Sequence, residues 1–371
     1  MRRVVGVALS FALVVSVALW GVAQLLGLST ARAISAGPVP SDQLSTVHGI
    51  VSTELRPYFE DPAVKQAFAA AGLSLDIETA PSREIATNRN LLVYDFAFFS
   101  SAPAAEKVSR AAGGQLQLFS PFYSPMAIAS YRPIVELLQA GGVAKQAVTG
   151  EYTFDMKAYL NLVAQGTRWR QLPQNAVYPT NKSVLVRTAD LRTSNSAAMY
   201  LAIASYVANG SAIVDNAQQA ASVGPRMDKL FLGQGYSESW TESPFDDYLA
   251  LGMGKTPMLL VYESQFLERR IRHDPAVTDN MVLMYPTPDV LSKHTIAAAT
   301  PRGAQVGQLL SSNPDLQRLA AGYGYRTADP AVFRKVLDAA QVPMPPDLPD
   351  IVDPPRYEVL EQLIARLEKE Y

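Results

Sequence analysis

The stretch LLVYDFAFFSSAPAAEKVSRAAGG, residues 91–114, joins an apolar run to a helical pattern through a short turn of hydroxyl side chains. Asp95 is the only charged residue in residues 91–99, as expected for a central parallel strand that is buried on both faces. The helix predicted over residues 103–112 ends at two glycines. Strand, turn and helix together form one unit of an α/β fold.

The same alternation continues on both sides of this unit. Before it, residues 47–51 and 73–77 are predicted strands, and a helix begins between them at Asp61 and Pro62. After it, helices are predicted from residues 132, 155 and 197, strands over residues 184–186, 258–262, 281–285 and 295–299, and helices over residues 303–340. This order predicts a parallel or mixed sheet with helices on both faces. A proline-rich break then precedes an amphipathic helix whose apolar face contains Val359, Leu360, Leu363, Ile364 and Leu367.

The first 33 residues have a different composition. Arg2 and Arg3 precede the uncharged residues 4–28, which are long enough to span a bilayer as a helix, since about 20 residues suffice. Residues 31–33, Ala-Arg-Ala, match the small-residue pattern of a signal-peptidase site. An uncleaved membrane anchor and a cleaved signal peptide both remain open. Either one places the rest of the chain outside the cytoplasm, with residues 34–45 as a linker.

Composition excludes several classes of function. The chain has 371 residues, 48% of them hydrophobic, which predicts a folded protein of two lobes or domains. A net charge of −2 without a Lys/Arg-rich run argues against nucleic acid as a partner. The absence of Cys excludes disulfides and thiol catalysis, and the three widely spaced His residues do not form a metal-ligand pattern. We therefore predict no catalytic residue, no metal and no cofactor, and interpret the chain as a non-enzyme.

Hydroxyl side chains follow three predicted strands, in residues 51–54, 79–83 and 100–103, and precede the long helix in residues 190–196. In an open α/β sheet these turns lie at the carboxyl ends of the strands, where ligands bind. Helix N-termini at such a position favour an anion. Hydroxyls at helix starts are also ordinary caps, so each turn is either a cap or part of a ligand site.

Five segments together resemble bacterial extracellular solute-binding proteins of the type 2 periplasmic-binding fold. The resemblance covers nearly all of the chain after the leader, and the segments are STELRPYFEDPAVKQAFAAAG (52–72), APSREIA (80–86), DLRTSNSAAMYLAIASYVANG (190–210), PMLLVYESQF (257–266) and residues 284–327.

The resemblance implies two α/β lobes, each a mixed sheet flanked by helices. Residues 46–131 plus 293–345 would form the first lobe and residues 132–292 the second, with crossing strands at residues 124–131 and 293–300. Residues 346–371 would add the proline-rich break and the last helix. The implied ligand-binding residues are Ser52, Thr53, Ser82, Ser100 and Ser101 in the first lobe, and Arg192, Ser194, Asn195, Ser196 and Glu263 in the second, with Tyr262 beside Glu263. For Arg192 two roles stay open, a charge-assisted contact with an oxyanion or carboxylate and an ion pair with Asp190.

These features predict an extracytoplasmic solute-binding protein that closes on a small polar, anionic solute and serves a membrane permease. The lipid-attachment Cys of many surface binding proteins is missing, which puts delivery to a permease in question. The alternative is a membrane-anchored interaction, scaffold or sensor protein built on the same fold. An enzyme that depends on Ser196 or Glu263 is the third reading.

Overall fold

The computed structural model describes residues 44–88, 90–234, 244–348 and 350–369, without the side chain of Asn88. Within these ranges, no helix combines the length and the apolar character needed to cross a membrane. The predicted anchor or signal segment at residues 1–33 and most of the predicted linker lie outside the described residues.

In the described part of the chain, ten strands form one mixed sheet in the order β2-β1-β3-β9-β4-β8-β6-β5, with β7 and β10 also paired to β4. The strands are β1 (Ser45–Ser52), β2 (Leu73–Ala80), β3 (Phe96–Phe99), β4 (Gln117–Tyr131), β5 (Ala144–Gln146), β6 (Tyr152–Asp155), β7 (Met258–Tyr262), β8 (Met281–Thr287), β9 (Leu291–Ala298) and β10 (Arg326–Thr327).

Helices cover the faces of this sheet. They are α1 (Arg56–Glu60), α2 (Pro62–Ala70), α3 (Ser82–Asn88), α4 (Ala102–Ala111), α5 (Arg132–Ala140), α6 (Met156–Ala164), α7 (Asn195–Ala208), α8 (Ala217–Phe231), α9 (Pro244–Leu251), α10 (Glu263–Ile271), α11 (Pro301–Ser312), α12 (Pro314–Gly322), α13 (Pro330–Ala339) and α14 (Tyr357–Glu368).

Local sequence signals explain most helix starts. Asp61 accepts a hydrogen bond from the backbone N–H of Ala63 at the start of α2, and Asp155 accepts one from Ala158 at the start of α6. Both are the caps predicted from sequence, and each supplies an acceptor for a helical N–H that has no partner within the helix. The ten-stranded sheet and the helices on its faces confirm the predicted mixed sheet with flanking helices.

The first half of the sheet consists of β2, β1, β3, β9 and residues 117–125 of β4. Strand β1 runs parallel to β2 and β3, whereas β9 runs antiparallel to β3 and β4. Both faces are buried, because Val51 and Phe98 belong to one hydrophobic cluster while Ile50 and Phe99 belong to another. Helices on both sides exclude water from the inner strand β3, which is entirely apolar, whereas the edge strand β2 keeps exposed polar residues such as Asp76.

The predicted strand over residues 91–99 is too long. Only residues 96–99 form a strand, whereas Leu91–Val93 is a short 3-10 helix in which Leu92 is almost fully exposed. The side chain of Asn90 accepts a hydrogen bond from the Leu92 N–H and stabilises this turn. The strand is also not parallel on both sides, since it pairs antiparallel with β9.

The prediction of a strand at residues 184–186 is wrong. The segment is extended but makes only isolated bridges at Ser183 and Arg187. The backbone N–H of Val186 donates instead to the Tyr159 hydroxyl, at 2.9 Å. A side chain thus replaces the neighbouring strand as hydrogen-bond partner.

The second half of the sheet consists of residues 126–131 of β4 with β7, β8, β6 and β5. Strand β4 changes partners between Pro125 and Met126, from β9 to β7 and β8, which agrees with the predicted crossing at residues 124–131. The predicted crossing at residues 293–300 is wrong, because β9 pairs only with β3 and with residues 117–125 of β4. The chain returns to the first half through residues 288–290, between β8 and β9.

The last helix, α14, has the apolar face predicted from its sequence. Leu363 and Ile364 are fully buried in the hydrophobic core of the second half, together with Val359, Leu360 and Leu367. The helix packs mainly against α8 and also against α7 and α4. The prediction of a packed terminal helix is confirmed.

Glu263 lies at the start of α10, completely buried, and its carboxylate is held by two protein side chains. Arg326 donates from Nε to Oε2 at 2.7 Å and from Nη2 to Oε1 at 2.8 Å, while the Tyr285 hydroxyl donates to Oε1 at 2.7 Å. Burial by itself lowers the pKa of Arg326, but its hydrogen bonds to Glu263 raise that pKa overall. The predicted ligand residue Glu263 therefore joins α10 to β10 and β8.

Replacing Arg326 with Met should destabilise the protein strongly, because Glu263 would remain buried without its counter-charge. We expect a loss of about 3–5 kcal/mol in the free energy of unfolding, measured by urea denaturation. The matched control is Arg56→Met, which removes the exposed ion pair with Glu60 and should cost about 1 kcal/mol or less. Equal losses in the two variants would contradict the structural role of the buried pair.

Asp289 lies in the connection between β8 and β9 and is almost completely buried. Its Oδ1 accepts a hydrogen bond from the Val290 N–H at 2.7 Å, whereas Oδ2 has no partner in the described residues. Burial raises the pKa of Asp289 well above its ordinary value, and the nearby charge of Glu263 adds to the shift. The folded protein therefore holds a proton here that the unfolded chain releases near pH 4.

This raised pKa predicts a pH dependence of stability. Above the unfolded pKa the folded state binds more protons than the unfolded state, so this group lowers the free energy of unfolding as the pH rises from about 4 towards neutrality. Asp289→Asn should remove that decline, as measured by urea denaturation at several pH values. Asp279→Asn, at a fully exposed carboxylate, is the control and should keep the wild-type slope. A wild-type slope in Asp289→Asn would show that Asp289 is ionised in the folded protein.

Candidate functional site

Three predicted hydroxyls meet at the carboxyl ends of neighbouring strands. Ser52 ends β1, Ser100 follows β3, and Ser82 begins α3 directly after β2. All three are buried, and Ser82 Oγ is hydrogen-bonded to Ser52 Oγ and, at 2.7 Å, to Ser100 Oγ. The Ser100 N–H donates to Ser82 Oγ at 2.9 Å and to Ser52 Oγ at 3.1 Å. The parallel register of β1 with β2 and β3 brings these strand ends together.

Tyr262 connects this cluster to the second half of the sheet. It ends β7, and its hydroxyl accepts a hydrogen bond from the Asn195 side chain at 2.9 Å. The same hydroxyl contacts the side chains of Ser100 and Ser292, and the Ser292 hydroxyl donates to the Ser100 carbonyl oxygen. Complete burial raises the pKa of Tyr262, with the charge of Glu54 as the next cause. We call this network of Ser52, Ser82, Ser100, Ser292, Asn195 and Tyr262 the polar seam.

A second polar contact adjoins the seam. Glu54 Oε1 and His294 Nε2 are 3.6 Å apart, and neither atom has a hydrogen-bond partner in the described residues. The other ring nitrogen of His294, Nδ1, is 3.2 Å from the Ser292 carbonyl oxygen, which can only accept.

Two pockets adjoin the seam. One has a volume of about 170 Å³ and is lined by Tyr262, Thr53, Glu54 and Tyr325, among others; we call it the tyrosine pocket. The other has a volume of about 380 Å³; we call it the lysine pocket, and its lining includes Ser101, Met199, Leu291, Lys293 and residues 351–354. Of the predicted residues, Thr53 therefore faces the first pocket and Ser101 the second.

Ser101 has the features of an anion-binding residue. It occupies the N-cap position of α4 but does not cap the helix, and its hydroxyl makes no hydrogen bond within the described chain although the residue is 96% buried. Lys293 lines the same pocket and adds a positive charge. A free hydroxyl, a helix N-terminus and an ammonium group together favour an anionic group. Glu106 and Asp353 also line this pocket and favour a solute that carries hydrogen-bond donors as well.

The remaining predicted residues line neither pocket. Ser194 caps α7 by accepting from the Ala197 N–H, and its hydroxyl is hydrogen-bonded to Ser196 Oγ at 2.8 Å. Arg192 donates from Nε to both carboxylate oxygens of Asp190, at 3.0 Å each. Of the two roles predicted for Arg192, the structure contains the ion pair. Although burial opposes it, hydrogen bonds from Arg192 lower the pKa of Asp190.

Sequence reasoning missed Ser292 and Lys293 and assigned His294 only a structural role. The sequence signal is the run Ser292-Lys293-His294, three consecutive polar residues near the start of strand β9. In a strand that is buried on both faces, polar side chains need specific partners. Within the described residues, no group of three His, Asp or Glu side chains is arranged to hold a metal ion.

Comparison with known proteins identifies the fold but not a close relative. No protein-family model matches the chain, and no curated protein is significantly similar in sequence. Among solved structures, iron-bound HitA from Pseudomonas aeruginosa matches with a TM-score of 0.53 and 12% identity, over 88% of this chain and 98% of that one. The ABC substrate-binding protein Lmo0181 from Listeria monocytogenes, in complex with cycloalternan, matches with a TM-score of 0.52 and 10% identity, over 88% and 95%.

Thiaminase I from Bacillus thiaminolyticus also matches, with a TM-score of 0.51 and 12% identity, over 88% of this chain and 99% of that one. The likeness to these structures confirms the type 2 periplasmic-binding fold. Because a protein named as an enzyme shares this fold with binding proteins, the fold by itself does not decide the activity.

Replacing Tyr262 with Phe should test the polar seam directly. The variant keeps the ring but removes the acceptor of the buried Asn195 side chain, so we expect a loss of about 1–3 kcal/mol in the free energy of unfolding. Tyr206→Phe is the matched control, since the Tyr206 hydroxyl has no hydrogen bond in the described structure and the ring is partly exposed. If the two variants were equally stable, the Tyr262 hydroxyl would not contribute to the stability of the seam.

Proposed function

We propose that this chain is an extracytoplasmic solute-binding protein that closes two lobes on a small polar solute with an anionic group. The first lobe would contain the first half of the sheet and the second lobe the second half, with hinges where β4 changes partners and at residues 288–290. A membrane permease would receive the solute, and residues 1–33 would anchor the protein or direct its secretion.

The observation that carries the proposal is the buried polar contact between the two halves. Ser100 comes from the first half, Asn195 and Tyr262 come from the second, and the three meet in a buried network with two pockets beside it. Buried polar groups are costly unless they are paired. A polar surface between two hydrophobic cores is therefore typical of a cleft that opens to water and closes on a polar ligand.

The lysine pocket is the proposed position of the anionic group. Ser101 supplies a free hydroxyl, α4 supplies its positive N-terminal end, and Lys293 supplies a charge. The carboxylates of Glu106 and Asp353 in the same pocket restrict the charge of the solute, because a polyanion would be repelled. A monoanion with hydroxyl or ammonium groups fits this combination better than a bare multivalent oxyanion.

One observation favours the alternative function, an interaction, scaffold or sensor protein on the same fold. The seam hydroxyls of Ser52, Ser82 and Ser100 bond to one another, so the protein's own side chains already satisfy the hydroxyls on the first-half side of the proposed cleft. A protein that no longer binds a solute would have its cleft hydroxyls satisfied in this way. The third reading, an enzyme, has less support, since Glu263 is paired with Arg326 and Ser196 with Ser194.

Thermal unfolding of the full chain with a panel of solutes tests the proposal. The panel contains sulfate, phosphate, short carboxylates, amino acids and small sugars. A ligand at one hundred times its dissociation constant should stabilise the protein by about 2.7 kcal/mol. Ser101→Ala and Lys293→Met should each reduce that stabilisation, while Ser101→Ala alone should cost little stability because Ser101 does not cap α4.

Ser194→Ala is the matched control. It removes a genuine helix cap outside both pockets, so it should lower the stability of the free protein by about 1 kcal/mol and leave the stabilisation by the ligand unchanged. Stabilisation by sugars alone would refute the anionic group. No stabilisation by any member of the panel would favour the interaction or scaffold function.

A further inference from the structure

The segment after the proline-rich break runs across both halves of the sheet. We call residues 350–368 the C-terminal strap. Its extended part pairs with the connection between β8 and β9, where the Asp289 N–H donates to the Asp350 carbonyl oxygen and the Val352 N–H donates to the Asp289 carbonyl oxygen, at 2.9 Å each. The strap is therefore hydrogen-bonded to one of the two segments through which the chain passes between the halves.

The helical part of the strap is packed into both hydrophobic cores. Leu363 and Ile364 lie in the core of the second half, against α7 and α8. Tyr357, at the first turn of the same helix, belongs instead to a cluster on the first half, with Ile50, and Lys107 lies over its ring at 5.2 Å. Opening of the cleft must therefore pull α14 away from one of the two cores.

Arg83 makes the strongest polar contact of the strap. It lies on α3, next to Ser82 of the seam, and donates from Nε and Nη2 to the two carboxylate oxygens of Glu361, at 2.8 and 2.7 Å. Its Nη1 also donates to the carbonyl oxygens of Leu191 and Arg192, just before α7. The Arg83 side chain is mostly buried, so water weakens these contacts little. One guanidinium group thus joins the first half, the second half and the strap.

A further ion pair between the strap and the first half is weaker. Arg110 on α4 donates from Nη2 to Glu358 Oε1 at 3.0 Å, but both side chains are about half exposed. Exposed pairs contribute little to stability. Arg83 and the apolar face of α14 therefore account for most of the attachment.

The strap also forms one wall of the lysine pocket. Ile351, Val352, Asp353 and Pro354 line that pocket, and Asp353 Oδ1 is 4.0 Å from Lys293 Nζ. A solute that enters the pocket from this side has to displace the strap. An anionic solute also has to compete with Asp353 for Lys293.

We propose that the C-terminal strap is a latch that holds the two halves closed in the absence of solute. The ion pair of Arg83 with Glu361 is its main polar contact. Release of Arg83 from Glu361 opens the seam and the lysine pocket together. The consequence for solute rests on the proposed function, because a latch on the cleft controls how fast a solute binds and leaves. The latch itself is a property of the protein without any ligand.

Hydrogen exchange followed by mass spectrometry on the full chain, without solute, tests the latch. We compare wild type with Arg83→Gln and with Glu361→Gln, which keeps the shape of the side chain and removes its charge. Both variants should exchange about tenfold faster in residues 96–105 and 191–200, which contain the seam residues Ser100 of the first half and Asn195 of the second. Residues 152–164, within the core of the second half, should exchange as in wild type.

The matched control is Arg56→Gln, which removes a guanidinium from an exposed pair within one helix and should leave all three peptides unchanged. Two outcomes would overturn the latch. The first is unchanged exchange at the seam in both variants, and the second is faster exchange of similar size in all three peptides, which is general destabilisation.

The same variants separate this inference from the proposed function. Faster exchange at the seam, together with no stabilisation by any solute of the panel, would support the latch and refute solute binding. If a solute is found, Arg83→Gln should bind and release it faster than wild type. Unchanged exchange together with a bound solute would refute the latch and leave the proposed solute binding intact.

Discussion

Strand β4 is the constraint on which the rest of the structure depends. Its fifteen residues pair with β9 and β10 at one end and with β7 and β8 at the other, so one continuous strand belongs to both halves of the sheet. The two halves therefore cannot separate completely while β4 stays paired at both ends. The proposed opening would have to bend the chain where β4 changes partners and in the connection at residues 288–290.

Buried polar groups surround these two crossing segments. Glu263 and Arg326 lie beside β4, Asp289 lies in the second crossing, and the polar seam fills the space between the halves. Networks of this kind add little to overall stability, but they select one arrangement over others because every partner must be in place. In this chain they determine how the two halves meet, while the hydrophobic clusters on either side determine that each half folds.

Sequence reasoning identified most of the elements and every residue of the polar seam except Ser292. The helix caps at Asp61 and Asp155 and the hydroxyl turns after β1, β2 and β3 are local signals, and the structure has them where the sequence indicates. The strand predicted at residues 184–186 failed because the Tyr159 hydroxyl, far away in the sequence, takes the hydrogen bond that a neighbouring strand would have made. The crossing that the resemblance implied at residues 293–300 failed because β9 pairs only with β3 and with residues 117–125 of β4, and no local pattern encodes those partners.

By itself, the sequence determined the α/β class, the order of helices and strands and the position of hydroxyls at strand ends, since periodicity and capping act over a few residues. Only the tertiary structure decided what those hydroxyls do. Ser52, Ser82 and Ser100 are hydrogen-bonded to one another, and Ser100 also contacts Tyr262. Ser194 caps a helix, and Ser101 alone of these is left unbonded beside Lys293. Apart from the local cap at Ser194, these outcomes depend on which groups the fold brings within hydrogen-bonding distance. Ser82, for example, lies 18 positions from Ser100 and 30 positions from Ser52 along the chain.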